Sequence, residues 1–256
     1  MAYSNNAKVI TNFYAPPESV KNGQAVITGE EARHIASVLR FKKGETISVV
    51  DGLGMRYKVV IDEAKPSRVT GQVINQVRRE NEPWVNLTLA CGISTGTKMD
   101  FIIEKCTEVG VNRFIPVLTE QSVVELKDPG KVQKKLTRWK KVAQAAMKQS
   151  LRSFLPVIEQ PLKLTELSST TTDYHLSLLA SLIPSAQNIQ DLQQSQEQCR
   201  DILLLIGPEA GFSRQEQELV LERGFVPIRL GKRRLRAETA CIIASGLVIS
   251  YWGGME

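Results

Sequence analysis

The sequence predicts a small β-barrel followed by an α/β domain with a mostly parallel sheet. Three observations lead to that reading. Up to residue 78, short β-like runs alternate with turn signals; Arg78-Arg79-Glu80-Asn81-Glu82-Pro83 is polar and closes on proline; beyond it the rhythm becomes strand, helix, strand. The expected domains are therefore 1–78 and 83–256.

In the first, the candidate strands are Gln24 to Thr28, Thr46 to Val50, Tyr57 to Ile61 and Val69 to Val77, parted by Lys43-Gly44, Asp51-Gly52-Leu53-Gly54 and Lys65-Pro66. One helical piece, Glu30 to Arg40, interrupts them with Ile35, Val38 and Leu39 on its apolar side. In the second, Val85 to Cys91 reads as a strand, Asp100 to Val109 as a helix closed by Gly110, and Arg113 to Leu118 as the next strand. The unit recurs: Asp201 to Ile206 is a strand, Ser213 and Glu216 have the spacing of a capping box opening a helix that stops at Gly224, and Phe225 to Leu230 follows as a strand. The Gln-rich segment Ser185 to Arg200 reads as a surface helix or loop. The last helix, Glu238 to Tyr251, has almost no polar face, so it needs burial all round, either inside one chain or against a second subunit.

Composition narrows the function classes. A 42% hydrophobic content suits an ordinary packed core and argues against disordered or fibrous classes. The opening MAYSNNAKVITNFYAPP lacks a charged segment followed by an apolar run, and no stretch nears the roughly 18 apolar residues of a membrane span. A cytoplasmic protein away from membranes is expected. Cys91, Cys106, Cys199 and Cys241 show no CxxC spacing and only His34 and His175 could join them, so neither a disulfide framework nor a metal site is suggested.

The net charge of +6 is compatible with a polyanionic partner, and its placement says more than its total. From Lys127 to Arg152 nine basic residues face one acid, Asp128. On a helical wheel Val132, Leu136, Trp139, Ala143 and Ala146 share one face, while Lys131, Lys134, Lys135, Arg138, Lys141 and Lys148 gather opposite. Such a stripe is either a solvated face or a phosphate contact.

Motifs supply the chemistry. Gly92-Ile93-Ser94-Thr95-Gly96-Thr97-Lys98 stands between strand and helix, where a phosphate loop would be, but its glycines are spaced wrongly and Thr97 precedes the lysine. No GxGxxG follows a strand and no GxSxG is present. Two other segments, Gly207-Pro208-Glu209-Ala210-Gly211 and Leu230-Gly231-Lys232-Arg233-Arg234-Leu235-Arg236, put glycine-containing loops at the C-terminal ends of predicted strands. Open α/β sheets bind ligands there, because helix N-termini and free amides converge and glycine admits close approach to a flat ring. Taken generically, both are also ordinary turns.

GPEAGFSRQE and LGKRRLRAETA resemble the two C-terminal signatures of the RsmE-type ribosomal RNA uridine N3-methyltransferases. The likeness extends through KMDFIIEKCTEVGVNRFIPVLTEQSVV, RWKKVAQAAMKQSLR and RHIASVLRFKKGETISVVDGLG, in order over nearly the whole chain. It implies an N-terminal PUA-like barrel that binds RNA, a C-terminal SPOUT methyltransferase domain with a trefoil knot, a homodimer, S-adenosylmethionine as cofactor and 16S ribosomal RNA or the small subunit as partner. It departs from the family at Ala210 and Leu151, where glycine is usual, at Gln121, where arginine is frequent, and at Gln144, often a glutamate.

Carried onto this chain, the resemblance implies a cofactor site of Ile206, Gly207, Pro208, Glu209, Gly211, Leu230, Gly231, Leu235, Arg236, Ala237, Thr239 and Ala240. Methyl transfer to nitrogen is an in-line displacement that needs alignment, a proton acceptor and stabilisation of the uracil anion. Arg236 and Glu238 are the candidates for the last two tasks, although Glu238 equally suits the first turn of the final helix. Arg33, His34, Arg40, Lys134, Arg138, Lys141 and Arg152 form the candidate RNA footprint, His34 having a structural alternative. A non-catalytic RNA-binding or ribosome-assembly protein, and a SPOUT methyltransferase acting on another RNA position, are the rival readings.

Overall fold

A computed structural model describes residues 11–94, 96–122, 128–167, 169, 171–196 and 198–253. Thr95 of the glycine-containing segment and Lys127 of the basic run lie outside them. The chain divides into two compact units, Met1–Glu82 with Gln144–Leu155, and Pro83–Ala143 with Pro156–Glu256.

The first unit holds a six-stranded sheet of β1 (Asn12–Tyr14), β2 (Val20–Lys21), β3 (Gln24–Thr28), β4 (Thr46–Val50), β5 (Met55–Lys65) and β6 (Arg68–Arg78), in the order β1-β4-β5-β6-β3-β2. All pairs but β1 with β4 are antiparallel, and the long β5/β6 hairpin is bent by two register shifts. Alternation does the rest: Ala25, Ile27, Ile47, Val49, Val59, Ile61 and Val69 point into one core with Phe13 and Phe41. The predicted helix over 30–40 is broken in two, a turn of α-helix, α1 (Gly29–Arg33), and a π-helical turn over His34–Val38, ending at Arg40 with φ of 54°. Its Ala32 and Ile35 face the core, and Val38 is left exposed.

The segment Gln144–Leu155 belongs to this unit, which departs from the contiguous domains expected from sequence. A buried ion pair ties it there. Glu82 receives the Arg152 guanidinium at 2.7 Å and the backbone N–H groups of Ser153 and Phe154 at 2.7 and 2.9 Å. The Asn12 amide donates to the Arg152 carbonyl, and Lys148 pairs with Glu31. Arg152, expected from the sequence as a phosphate contact, has a side chain only 2% exposed and paired with Glu82.

The second unit is built on an eight-stranded sheet in which every pairing is parallel. Its strands and helices are β7 (Asn86–Gly92), α2 (Lys98–Val109), β8 (Arg113–Leu118), α3 (Pro129–Gln149, whose last turns belong to the first unit), β9 (Val157–Ile158), β10 (Leu162–Lys163), α4 (Leu164–Leu167), β11 (Leu176–Ala180), β12 (Gln187–Asn188), α5 (Ile189–Ser195), β13 (Asp201–Ile206), α6 (Arg214–Glu222), β14 (Val226–Arg229) and α7 (Ala237–Val248). The order is β10-β8-β7-β13-β11-β14-β12, with β9 beside β8. The central strands are mostly apolar and buried on both faces, as a parallel sheet covered by helices requires. Strand β11 is one of them and escaped the sequence reading, because a short apolar run without alternation is ambiguous by periodicity.

Helix α6 opens on the predicted capping box, the Ser213 hydroxyl accepting from the Glu216 N–H and the Glu216 carboxylate from the Ser213 N–H. Helix α7 packs on α2, β7 and β13, burying Cys241, Ala244, Ser245 and Val248. It is not enclosed by this chain all round: Ile243 is 44% exposed. Cys91, Cys106 and Cys241 are buried free thiols, and Cys199 is partly buried. Burial pushes the Cys106 thiol far up, so it stays protonated and unreactive.

Candidate functional site

Three neighbouring parallel strands, β13, β11 and β14, end on the same side of the sheet, and the loops that leave them surround a pocket of about 660 Å³. Ala180, Ser181 and Leu182 come from the end of β11, Ile206 to Phe212 from that of β13, and Leu230 with Arg233 to Glu238 and Ala240 from that of β14 and the first turns of α7. Lys98 and Gln217 complete the wall. The two glycine-containing segments, about twenty residues apart in sequence, thus meet in space.

The β13 loop is braced from behind. A Cβ on Gly92 would lie 2.4 Å from Pro208, so only glycine lets the end of β7 pass so close. A Cβ on Gly207 would sit 3.1 Å from the Phe212 ring, and Gly211, with φ of 80°, donates its N–H back to the Pro208 carbonyl at 2.8 Å. Lys98, at the start of α2, reaches over to Glu209 at 2.7 Å. Burial pushes the Glu209 carboxyl up, but the hydrogen bonds from Lys98 and from the Glu209 backbone outweigh it and hold it below the ordinary carboxylate range. The segment rejected as a phosphate loop has a different task here, supplying through Gly92 and Lys98 the support of its neighbour.

The β14 loop is open by contrast. Gly231 has φ of 125° and no atom within 4 Å of where a Cβ would stand, so its glycine answers to backbone conformation and not to crowding. Gly231 and Thr239 stand outside the pocket wall; the other expected cofactor residues are in it. Arg236 is the N-cap of α7 and makes no side-chain capping bond. One Glu238 carboxylate oxygen is buried with no hydrogen-bond partner, an arrangement that favours a ligand able to donate to it or to carry positive charge. Ala210 is not among the residues with positive φ, so alanine fits there without strain; Leu151, with φ of 62°, does occupy a glycine conformation.

Sequence reasoning missed Ala180, Ser181, Leu182, Lys98, Phe212, Gln217, Arg233 and Arg234 as lining residues. The apolar run Leu176–Ala180 was the available signal for the first three. Of the expected RNA contacts, Arg33, Arg40, Lys134 and Lys141 are exposed; Arg138 pairs with Asp100; and His34 packs edge-on to Phe13 at 6.0 Å, in keeping with its structural alternative. Among the described residues no cluster of three or more His, Cys, Asp or Glu could hold a metal ion, and no helix is long and apolar enough to cross a membrane.

Residues 80–249 match the family model described as an RNA methyltransferase domain, and residues 27–74 that of an RNA methyltransferase PUA domain. The chain is 32% identical to Ribosomal RNA small subunit methyltransferase E of Bacillus subtilis, over 88% of this chain and 89% of the relative. Against the namesake of Synechocystis it is 31% identical, covering 89% and 73%. The crystal structure of Ribosomal RNA small subunit methyltransferase E from Neisseria gonorrhoeae bound to S-adenosyl methionine superposes with a TM-score of 0.86 at 29% identity, over 96% of this chain and 99% of that one. A Legionella pneumophila methyltransferase, solved with the same cofactor, gives 0.84 at 29%, over 95% and 98%. The two units are thus a PUA-like domain and a SPOUT-type α/β domain, and the chain belongs to the ribosomal RNA small subunit methyltransferase E family.

Proposed function

We propose that this protein transfers the methyl group of S-adenosylmethionine to N3 of a uridine in 16S (small-subunit) ribosomal RNA, in the cytoplasm and as a homodimer. The observation that carries the reading is the pocket at the C-terminal ends of three parallel strands, where two glycine-containing loops converge. Its residues fit that cofactor. A volume of about 660 Å³ suits a ligand of this size, Ile206, Leu230, Leu235, Ala237 and Ala240 offer apolar surface to a flat ring, and the unpartnered Glu238 oxygen offers negative charge to a cation. The bound cofactor supplies an electrophilic methyl group on a sulfonium centre.

The chain supplies alignment and proton handling. We assign Gly207 to Gly211, Leu230, Gly231 and Leu235 to Ala240 to holding the cofactor, largely through main-chain groups. Arg236 is assigned to the negative charge that develops on the uracil oxygens, and Glu238 to the N3 proton. Exposed Lys134 and Lys141, with Arg33 and Arg40 of the PUA-like unit, are assigned to RNA phosphates. The homodimer is supported by the outer side of α7, where Ile243 is exposed and Ile242 and Leu247 are half-buried. A strain lacking the gene should lose one 3-methyluridine from its small-subunit RNA, measured by mass spectrometry of nuclease digests. An unchanged 3-methyluridine content, or loss of a ribose methyl group instead, would sink the assignment. Failure of the pure protein to bind S-adenosylmethionine in a calorimeter would favour a non-catalytic RNA-binding role.

A further inference from the structure

We propose that the loop Lys232–Arg236 is a second phosphate-binding element, separate from the α3 stripe, that grips the RNA backbone on either side of the target nucleotide at the pocket mouth. The proposal deepens the methyltransferase reading and rests on it. Within five consecutive residues the loop carries four cations, Lys232, Arg233, Arg234 and Arg236, and all four are exposed.

Charge accounting separates this loop from α3. Along and just after that helix, Arg138, Lys148 and Arg152 are engaged by Asp100, Glu31 and Glu82. A cation so engaged must give up one charge-assisted bond to make another, and it gains little from a phosphate. Among the described residues none of the four loop cations forms an ion pair or a hydrogen bond with an acid. Clustered like charges repel one another, and a polyanion relieves that repulsion while releasing its own counterions.

Position points the same way. Arg233 and Arg234 line the pocket beside Arg236, so a base seated at its mouth against Arg236 brings its flanking phosphates to these two side chains and to the adjoining Lys232. Helix α7 starts directly after the loop, and its N-cap residue leaves the first amides without a side-chain acceptor, adding a partial positive charge at the same spot. Phosphate contacts fix register and carry no sequence information. The loop would accordingly set the target base over the transfer site, whereas exposed lysines of α3 add general affinity.

The test is the full-length variant Lys232→Gln, a cation of the loop outside the pocket wall, with S-adenosylmethionine affinity measured by calorimetry and binding of a protein-free small-subunit RNA transcript measured across a salt series. Cofactor affinity should stay within about twofold of the parent, and the slope of log K against log salt should become shallower by roughly 0.7, the share of one phosphate in single-stranded RNA. The charge-retaining Lys232→Arg should restore the parent slope. An unchanged slope overturns the proposal, as does a loss of cofactor affinity without a change in slope, which would give the loop to the cofactor. If the parent itself fails to bind S-adenosylmethionine, the methyl-transfer reading falls; a slope change in the variant would still establish the loop as an RNA contact.

Discussion

Helix α3 and the loop Lys232–Arg236 are both dense in cations, and they differ in the company those cations keep. On the helix, charge is divided: Lys134 and Lys141 are exposed, Arg138 and Lys148 have acid partners, and Arg152, just past its end, is sealed against Glu82. In the loop, all four cations are exposed, and Arg233, Arg234 and Arg236 line a pocket. A count of basic residues treats the two alike. What separates them is a set of acids, Glu31, Glu82 and Asp100, each at least 38 residues away in sequence.

The largest effect expected from this contrast is on folding. Arg152→Met leaves the fully buried Glu82 carboxylate without its counter-charge and should cost about 3 to 5 kcal/mol, toward the lower figure because the Ser153 and Phe154 amides remain. Urea unfolding measures it. A variant as stable as the parent but weak in RNA binding would return Arg152 to the phosphate ligands and break the comparison. In the loop, Gly231→Val forces a β-branched residue to φ of 125°, a strain of about 1 to 3 kcal/mol that the loop can relieve only by moving. Affinity for S-adenosylmethionine should fall about tenfold or more, which corresponds to roughly 1.4 kcal/mol. Normal affinity in that variant would count against the loop as part of the cofactor site. The smallest effect belongs to the exposed helix face: Lys134→Ala should weaken RNA binding a few-fold at low salt, flatten the salt slope by about 0.7 and leave the cofactor untouched. Equal binding of parent and variant at low salt would reassign that lysine to a merely solvated face.

Much of the fold is legible locally. The strands Gln24–Thr28, Thr46–Val50, Arg113–Leu118 and Asp201–Ile206 have the bounds their patterns predict, and the Ser213–Glu216 capping box forms as its spacing requires. Strand β11 is the instructive omission. Its run Leu-Ser-Leu-Leu-Ala is too short to declare a period, yet it lies between β13 and β14 and carries one side of the pocket. Gly92 stood in the sequence only as the first glycine of a segment placed like a phosphate loop, but its close approach to Pro208 joins loops more than a hundred residues apart.

The longer strands and helices other than β11, the two glycine-containing loops and the motifs that mark the family are properties of neighbouring residues, and the sequence by itself determined them. Only the tertiary structure decided that Gln144–Leu155 joins the N-terminal unit, that Arg152 is neutralised, that Leu151 rather than Ala210 takes the left-handed conformation, and that β11 closes the pocket. The physical reason is range. Propensity, capping and turn chemistry act over a few residues, whereas burial, ion pairing and backbone close approach depend on which distant segments the fold brings together.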